Sequence, residues 1–269
     1  RNFIATMNLA GLREDGRRPG ELRQMAVKLG LGGTHDGSAY VEMGQTRVIA
    51  QVFGPHEVDS RKLTSENCTI VVDFAPAPFA GLERKRRRPG DRQSVELSLA
   101  VKQCLEATVL VASYPNTQID VFLTILQDDG GRLPCCLNAA ALAMIEAGVG
   151  MVDMLAACSA GFLKGGVSCA DLSAREASSG AAHLPVAIHP GSEQVVLCQL
   201  DAKLPLEELE PVLALAISGC HQCHSVMRDA VQKHTQLLLC QRELTSPQQL
   251  GRLTRDPQLN QTEAAVDEE

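Results

Sequence analysis

ILQDDGGRLPCCLNAAALAMIEAG, running from Ile125 to Gly148, is the stretch that decides how this chain is read. An apolar run ends at Gln127, Asp128 and Asp129 meet Gly130 and Gly131 in a tight turn, and an Ala/Leu-rich helix follows as far as Gly148. Backbone N–H groups at a helix start have no partner within the helix, and the helix dipole adds partial positive charge there. Such a turn is suited to holding phosphate. Two glycines after a strand can also do no more than turn the corner. Adjacent strand residues point to opposite faces, so Asp128 and Asp129 make a poor chelating pair and are expected to form hydrogen bonds instead.

Working outward, Asn116 to Gln127 alternates Ile119, Val121, Leu123 and Ile125 against Asp120 and Thr124, the pattern of a strand feeding the turn. Upstream, Leu97, Val101, Cys104, Leu105 and Thr108 share one face of a helix expected from Ser94 to Ala112. Cys68 to Phe74 reads as a strand, and Ser38 to Glu42 with Thr46 to Phe53 as a hairpin around Gly44 and Gln45. The opening LREDGRRPGELR, Leu12 to Arg23, is polar and turn-rich and is expected to lie over the surface. Downstream, Leu155 to Leu163 and Val167 to Leu172 flank Gly165 and Gly166 as a second hairpin. Strands follow at Leu184 to Ile188 and Val195 to Leu200, then a long helix from Leu206 to Leu238. Hairpins followed by helices in both halves predict an α+β class with two related units side by side.

At 269 residues, 45% of them hydrophobic, the chain can bury one large core or two fused halves. No apolar run reaches membrane-spanning length, and RNFIATMNLAG at the start lacks the apolar segment of a secretory signal. The expected setting is intracellular, without a membrane. Ten cysteines spread along the chain read as reduced core residues. With 3% aromatics and no Trp, RNA binding through stacking platforms is disfavoured against backbone electrostatics. The net charge is −7, yet Arg84, Lys85, Arg86, Arg87 and Arg88 form an unbroken basic run, followed by Arg92. Adjacent like charges repel, which fits a loop facing a polyanion; a solvated loop and a nuclear-localisation patch are the alternatives.

Cys220, Cys223 and His224 spell C-x-x-C-H, the pattern of covalent haem attachment. Their spacing with Leu209, Leu213, Ala216, Met227, Ala230 and His234 places both cysteines on the buried stripe of a helix instead. No second ligand pair at zinc-finger spacing accompanies them, so neither cofactor nor metal is expected.

LREDGRRPGELR, DGSAYVEMGQTRVIAQVFGPHE from Asp36, ERKRRRPGDRQSVE from Glu83 and the QDDGG turn stand in the order and spacing of RNase PH-like proteins, which include the ring subunits of the RNA exosome. CSAGF from Cys158 and ADLS from Ala170 extend the resemblance. It covers residues 11–240, with halves at 11–150 and 151–240, and leaves 1–10 as an N-terminal extension and 241–269 as a polar, acidic tail. The resemblance implies an RNase PH-like fold, of the ribosomal protein S5 domain 2-like type, with mixed β-sheets packed on helices.

Active members of that family degrade RNA from its 3′ end by phosphorolysis, in which inorganic phosphate attacks the terminal phosphodiester and a nucleoside diphosphate leaves. By resemblance, Gly130, Gly131 and Arg132 match the phosphate turn, Asp171 matches the first acid of the acidic motif, and Arg84, Lys85, Arg86, Arg87, Arg88 and Arg92 would contact RNA. Three departures stand out. Arg132 and Leu133 occupy the positions of a Ser or Thr and an Arg. Gln93 replaces a second arginine, with Arg92 one residue earlier. Ala177 replaces a second aspartate six residues after Asp171. Losing even one preorganised charge at a reacting centre costs about a hundredfold in rate, so a degenerate phosphorolytic site is expected, with Asp171 a vestigial general acid. An active phosphate-dependent 3′-5′ exoribonuclease, with inorganic phosphate as co-substrate, is the alternative. The partners implied are other RNase PH-like ring subunits, RNA-binding cap subunits, associated hydrolytic nucleases and single-stranded RNA. The locations implied are the nucleus, including the nucleolus, and the cytoplasm.

Overall fold

A computed structural model describes residues 12–57, 67–81, 83–84, 90–163 and 166–244, with backbone alone for 242–244. Residues through Arg228 form one compact unit, and those from Asp229 onward a second.

In the first unit, period-two burial builds the first sheet. Strand β2, Gly37–Met43, buries Ala39, Val41 and Met43; β3, Thr46–Glu57, buries Val48, Ala50 and Val52; β5, Thr117–Gln127, buries Ile119, Val121, Leu123 and Ile125. Strand β1, Met25–Leu29, and β4, Thr69–Pro76, complete the order β1-β2-β3-β5-β4, antiparallel except where β4 runs parallel to β5. The expected hairpin is present, with Met43 paired to Thr46 across Gly44 and Gln45. Helix α1, Arg92–Thr108, packs on β4, and α2, Arg132–Glu146, packs on β2 and β3.

The second sheet has the order β7-β6-β8-β9, from β6, Ala156–Leu163, β7, Val167–Ala170, β8, Ala182–His189, and β9, Gln194–Cys198. Helix α2 also packs on β6 and β8, so it is the shared core element of the unit. That explains why every residue from Leu133 to Met144 is buried. Its one interior amide, Asn138, donates to the Ala157 carbonyl at 2.9 Å and accepts from the Ala157 N–H at 2.8 Å, which satisfies it fully enough to be buried. Helix α4, Leu206–Leu244, buries Val212, Ala216, Cys220, Cys223 and Met227. A Cβ on Gly219 would come within 2.6 Å of the Cys158 Sγ, so only glycine permits this approach of helix to strand. In the second unit, the last turns of α4 expose Leu237, Leu238 and Leu239.

Several expectations are corrected. Helix α1 stops at Thr108 because Val109 turns extended and bridges Met151; a short 3₁₀ turn, Val111–Ser113, follows in place of the expected run to Ala112. The arm from Leu12 to Arg23 lies at the surface as expected, with Glu14, Asp15, Gly16, Arg18, Gly20 and Glu21 exposed, but it inserts two arginines. Arg23 is buried, and Arg13 is 1% exposed, with its Nε donating to Glu176 Oε1 at 2.8 Å and its Nη2 to the Asp171 carbonyl at 2.9 Å. Strand β1 and helix α3, Ala174–Ser178, were not anticipated, and Cys198 and Cys240 are exposed, unlike the other eight cysteines. Among the described residues no group of His, Cys, Asp and Glu is arranged to hold a metal, and no helix is long and apolar enough to cross a membrane.

Candidate functional site

Strand β5 delivers Asp128 and Asp129 to the turn, and both glycines there are required by geometry. Gly130 and Gly131 have φ of 84° and 63°, and a Cβ on Gly130 would lie 2.7 Å from the Leu172 carbonyl oxygen. Gly131 caps α2 without a side-chain hydrogen bond, and no acid sits in the first helical turn. The opening N–H groups of α2 therefore keep their partial positive charge unanswered from within the helix. Asp128 bonds locally, as its spacing implied: Oδ1 accepts from the Gly130 N–H at 3.3 Å, and Oδ2 lies 3.3 Å from Arg132 Nε.

Behind the turn sits Asp171, completely buried and held at φ 51°. Its Oδ2 accepts from the Arg23 backbone N–H at 3.1 Å and from Arg23 Nε at 2.7 Å, while Oδ1 accepts from Arg23 Nη2 at 2.6 Å. The same guanidinium donates onward to the carbonyls of Asp129 at 2.7 Å and Gly130 at 3.2 Å, and to Thr46 Oγ1 at 3.3 Å. Burial pulls the Arg23 pKa down, but the bond to Asp171 and its charge outweigh that and hold the guanidinium above its ordinary value. Asp171 thus fixes Arg23, and Arg23 fixes the backbone of the turn. A carboxylate gripped at both oxygens, with no exposed surface, has no face to offer a leaving group.

Arg132 stands half exposed at the start of α2. Ala177 lies in α3, and Gln93 in the first turn of α1 beside Arg92, whose side chain is 90% exposed and ion-paired with Glu96 at 2.8 Å. Arg84 is exposed; Lys85, Arg86, Arg87 and Arg88 lie outside the described residues. The turn, Arg132 and Asp171 are brought together, and no contact among the described residues joins Arg84 or Arg92 to them.

Three residues of the site were not singled out by the sequence reading. Arg23 lay in a polar arm with nothing to mark it as buried. Ser159 Oγ, buried and without a hydrogen-bond partner among the described residues, would lie 3.7 Å from a Cβ on Gly131. His183 shares the Ser159 face of the second sheet, because Ser159 pairs with Pro185 and Gly161 with His183, about 7 Å further along. Burial lowers the His183 pKa below its ordinary 6.5, against the pull of Asp201 and Asp171 and with the help of Arg132. An isolated histidine inside an apolar strand was the only signal for it.

Residues 21–150 match the model of the 3′ exoribonuclease family, domain 1, and residues 153–219 that of its domain 2. The chain belongs to the 3′ exoribonuclease (RNase PH) family. Within that family it is 42% identical over 86% of its length to an exosome complex component RRP41 homolog of Arabidopsis thaliana, of which it covers 96%. It is 41% identical over 84% of its length to exosome complex component RRP41 of Bos taurus, of which it covers 93%. The RNase PH-like two-domain fold is shared with a chain of the Archaeoglobus fulgidus exosome with RNA bound to the active site, at TM-score 0.69 and 21% identity over 80% of this chain and 92% of that one.

Proposed function

We propose that this chain is a structural and RNA-binding subunit of an exosome core ring, that it helps to thread RNA for 3′-5′ degradation and for processing of rRNA and mRNA, and that its own phosphorolytic site is degenerate. The observation that carries the degenerate site is Asp171, whose two oxygens are spent on Arg23 in a position without solvent access. Gln93 and Ala177 remove two further groups that the chemistry needs, and Arg132 is drawn toward Asp128. The names of the relatives support membership of an exosome. The ring itself, its other RNase PH-like subunits, cap subunits and hydrolytic nucleases as partners, and the nucleus, nucleolus and cytoplasm as locations, follow from the family resemblance alone. Arg84 through Arg88 supply the RNA contact. Many weak phosphate contacts hold any sequence and let it slide.

Reversing Arg86, Arg87 and Arg88 to Glu tests this role. RNA retention by the assembled ring should weaken, and its salt dependence should become shallower, with folding unchanged. Crosslinks that place RNA elsewhere, indifferent to these changes, would remove the role from this loop.

A second reading, an active phosphate-dependent 3′-5′ exoribonuclease, is favoured by one observation. His183 lies on the Ser159 face of the second sheet, on the side where the turn sits, and burial with Arg132 favours its neutral form, so an imidazole there could take the proton of an attacking phosphate. Nucleoside diphosphate release that disappears in His183→Gln would select it.

A further inference from the structure

Strand β1 forms one border of the first sheet. Its hydrogen bonds have a definite parity. The Gly44 N–H donates to the Gln24 carbonyl at 2.9 Å and the Gly30 N–H to the Ser38 carbonyl at 3.2 Å, at the two ends of a register that pairs Met25 with Met43 and Leu29 with Ala39. Even-numbered residues from Gln24 to Gly30 therefore face β2. The N–H and C=O groups of Met25, Val27 and Leu29 point the other way, and none has a partner among the described residues. Three donors and three acceptors repeating every second residue are matched most regularly by another extended backbone.

The same edge opens into a cleft of about 450 Å³ between the arm and α4, lined by Leu22, Met25, Cys223 and Val226, with Glu21 and Gln222 also at its walls. Met25 belongs to both, so a strand laid along β1 would run one end into the cleft. Its mouth is apolar on the helix side, where Val226 is 39% exposed. An edge strand beside a helix, with a groove between them, is the geometry by which extended peptides add to sheets: backbone bonds supply affinity and side-chain pockets supply selectivity.

Charge decides the occupant. Lys28 lies at the centre of the edge, exposed and in no ion pair among the described residues. A second copy paired antiparallel through Val27 would bring two Lys28 side chains together on one face as diagonal neighbours, which disfavours self-pairing. We propose that the free edge of β1 and its adjoining cleft receive an extended segment of a different protein, acidic where it passes Lys28 and apolar where it enters the cleft beside Glu21 and Met25, added to the first sheet as a sixth strand. This surface shares no residue with the basic run and goes beyond the role proposed above.

Val27→Pro provides the test. The N–H it removes points away from β2, and proline is tolerated on the open side of an edge strand, so the chain should fold while the edge is blocked. In the assembly purified with the full-length chain, backbone amides of Met25, Val27 and Leu29 should exchange hydrogen at least about tenfold more slowly than in the free chain. A photocrosslinking residue at Ala26 should join an extended segment of another polypeptide, with acidic and apolar residues and identified by peptide sequencing, and Val27→Pro should abolish that product. RNA retention by the free chain should be unchanged, which separates failure of this surface from failure of the RNA role. Crosslinks to a second copy of this chain or to RNA would overturn the proposal. So would unprotected amides in the assembly, a readout that holds even if Val27→Pro fails to fold.

Discussion

Asp171→Asn separates a structural carboxylate from a site acid. In the fold its charge faces Arg23, whose side chain is 6% exposed, through bonds of 2.6 and 2.7 Å. Asparagine keeps one acceptor but turns an N–H₂ group toward guanidinium donors and leaves a buried cation with only the part-exposed Asp129 carboxylate, 3.7 Å away, as counter-ion. Breaking a buried pair from one side costs about 3–5 kcal/mol. For a body of this size each kcal/mol lowers the melting temperature by roughly 2–4 °C, so a fall of roughly 6–20 °C is expected. Urea denaturation followed by circular dichroism measures the free energy, and differential scanning calorimetry the temperature. The double replacement Arg23→Met with Asp171→Leu should recover much of the loss, because it removes both charges together. A loss below about 1 kcal/mol in Asp171→Asn, the range of exposed substitutions, would refute a structural role for this residue.

Other outcomes follow from the same contacts. Burial pushes the Glu176 carboxyl up, but the bond from Arg13, the Ser173 N–H and the Arg13 charge outweigh it and hold the group below its ordinary 4.5. A folded-state pKa depressed in this way contributes stability that is complete above the unfolded value and is lost as pH falls through the folded one. Acid titration of stability should therefore steepen below about pH 4.5, and Glu176→Gln should flatten that limb. Gly130→Ala places a Cβ 2.7 Å from the Leu172 carbonyl at a φ of 84°, so it should destabilise by more than about 1 kcal/mol and broaden the amide resonances of the turn.

The strand, glycine turn and helix were legible from Ile125 to Gly148 because two periodicities meet at a pair of glycines, and the structure sets β5 and α2 there. The hairpin at Gly44 and Gln45 and the buried stripe through Cys220, Cys223 and Met227 were legible on the same grounds. Strand β1 was not, since its half-buried alternation across MAVKL carries too little contrast. Helix α3 is short, but Ser173 and Glu176 spell a reciprocal cap that a search for such pairs would have found. The largest gap lies in Arg13 and Arg23. Their sequence neighbours are polar, and only the carboxylates of Glu176 and Asp171, far along the chain, make their burial affordable. Pairing at long range leaves no mark on local composition.

The central claim is a pocket that no longer performs phosphorolysis. Its most direct measurement is release of nucleoside diphosphate from oligoadenylate and inorganic phosphate by the assembled ring, compared with rings carrying Arg132→Ala or His183→Gln in this subunit. The account predicts the same output from all three. Release that falls at least about tenfold in either variant, with assembly and stability intact, would contradict it.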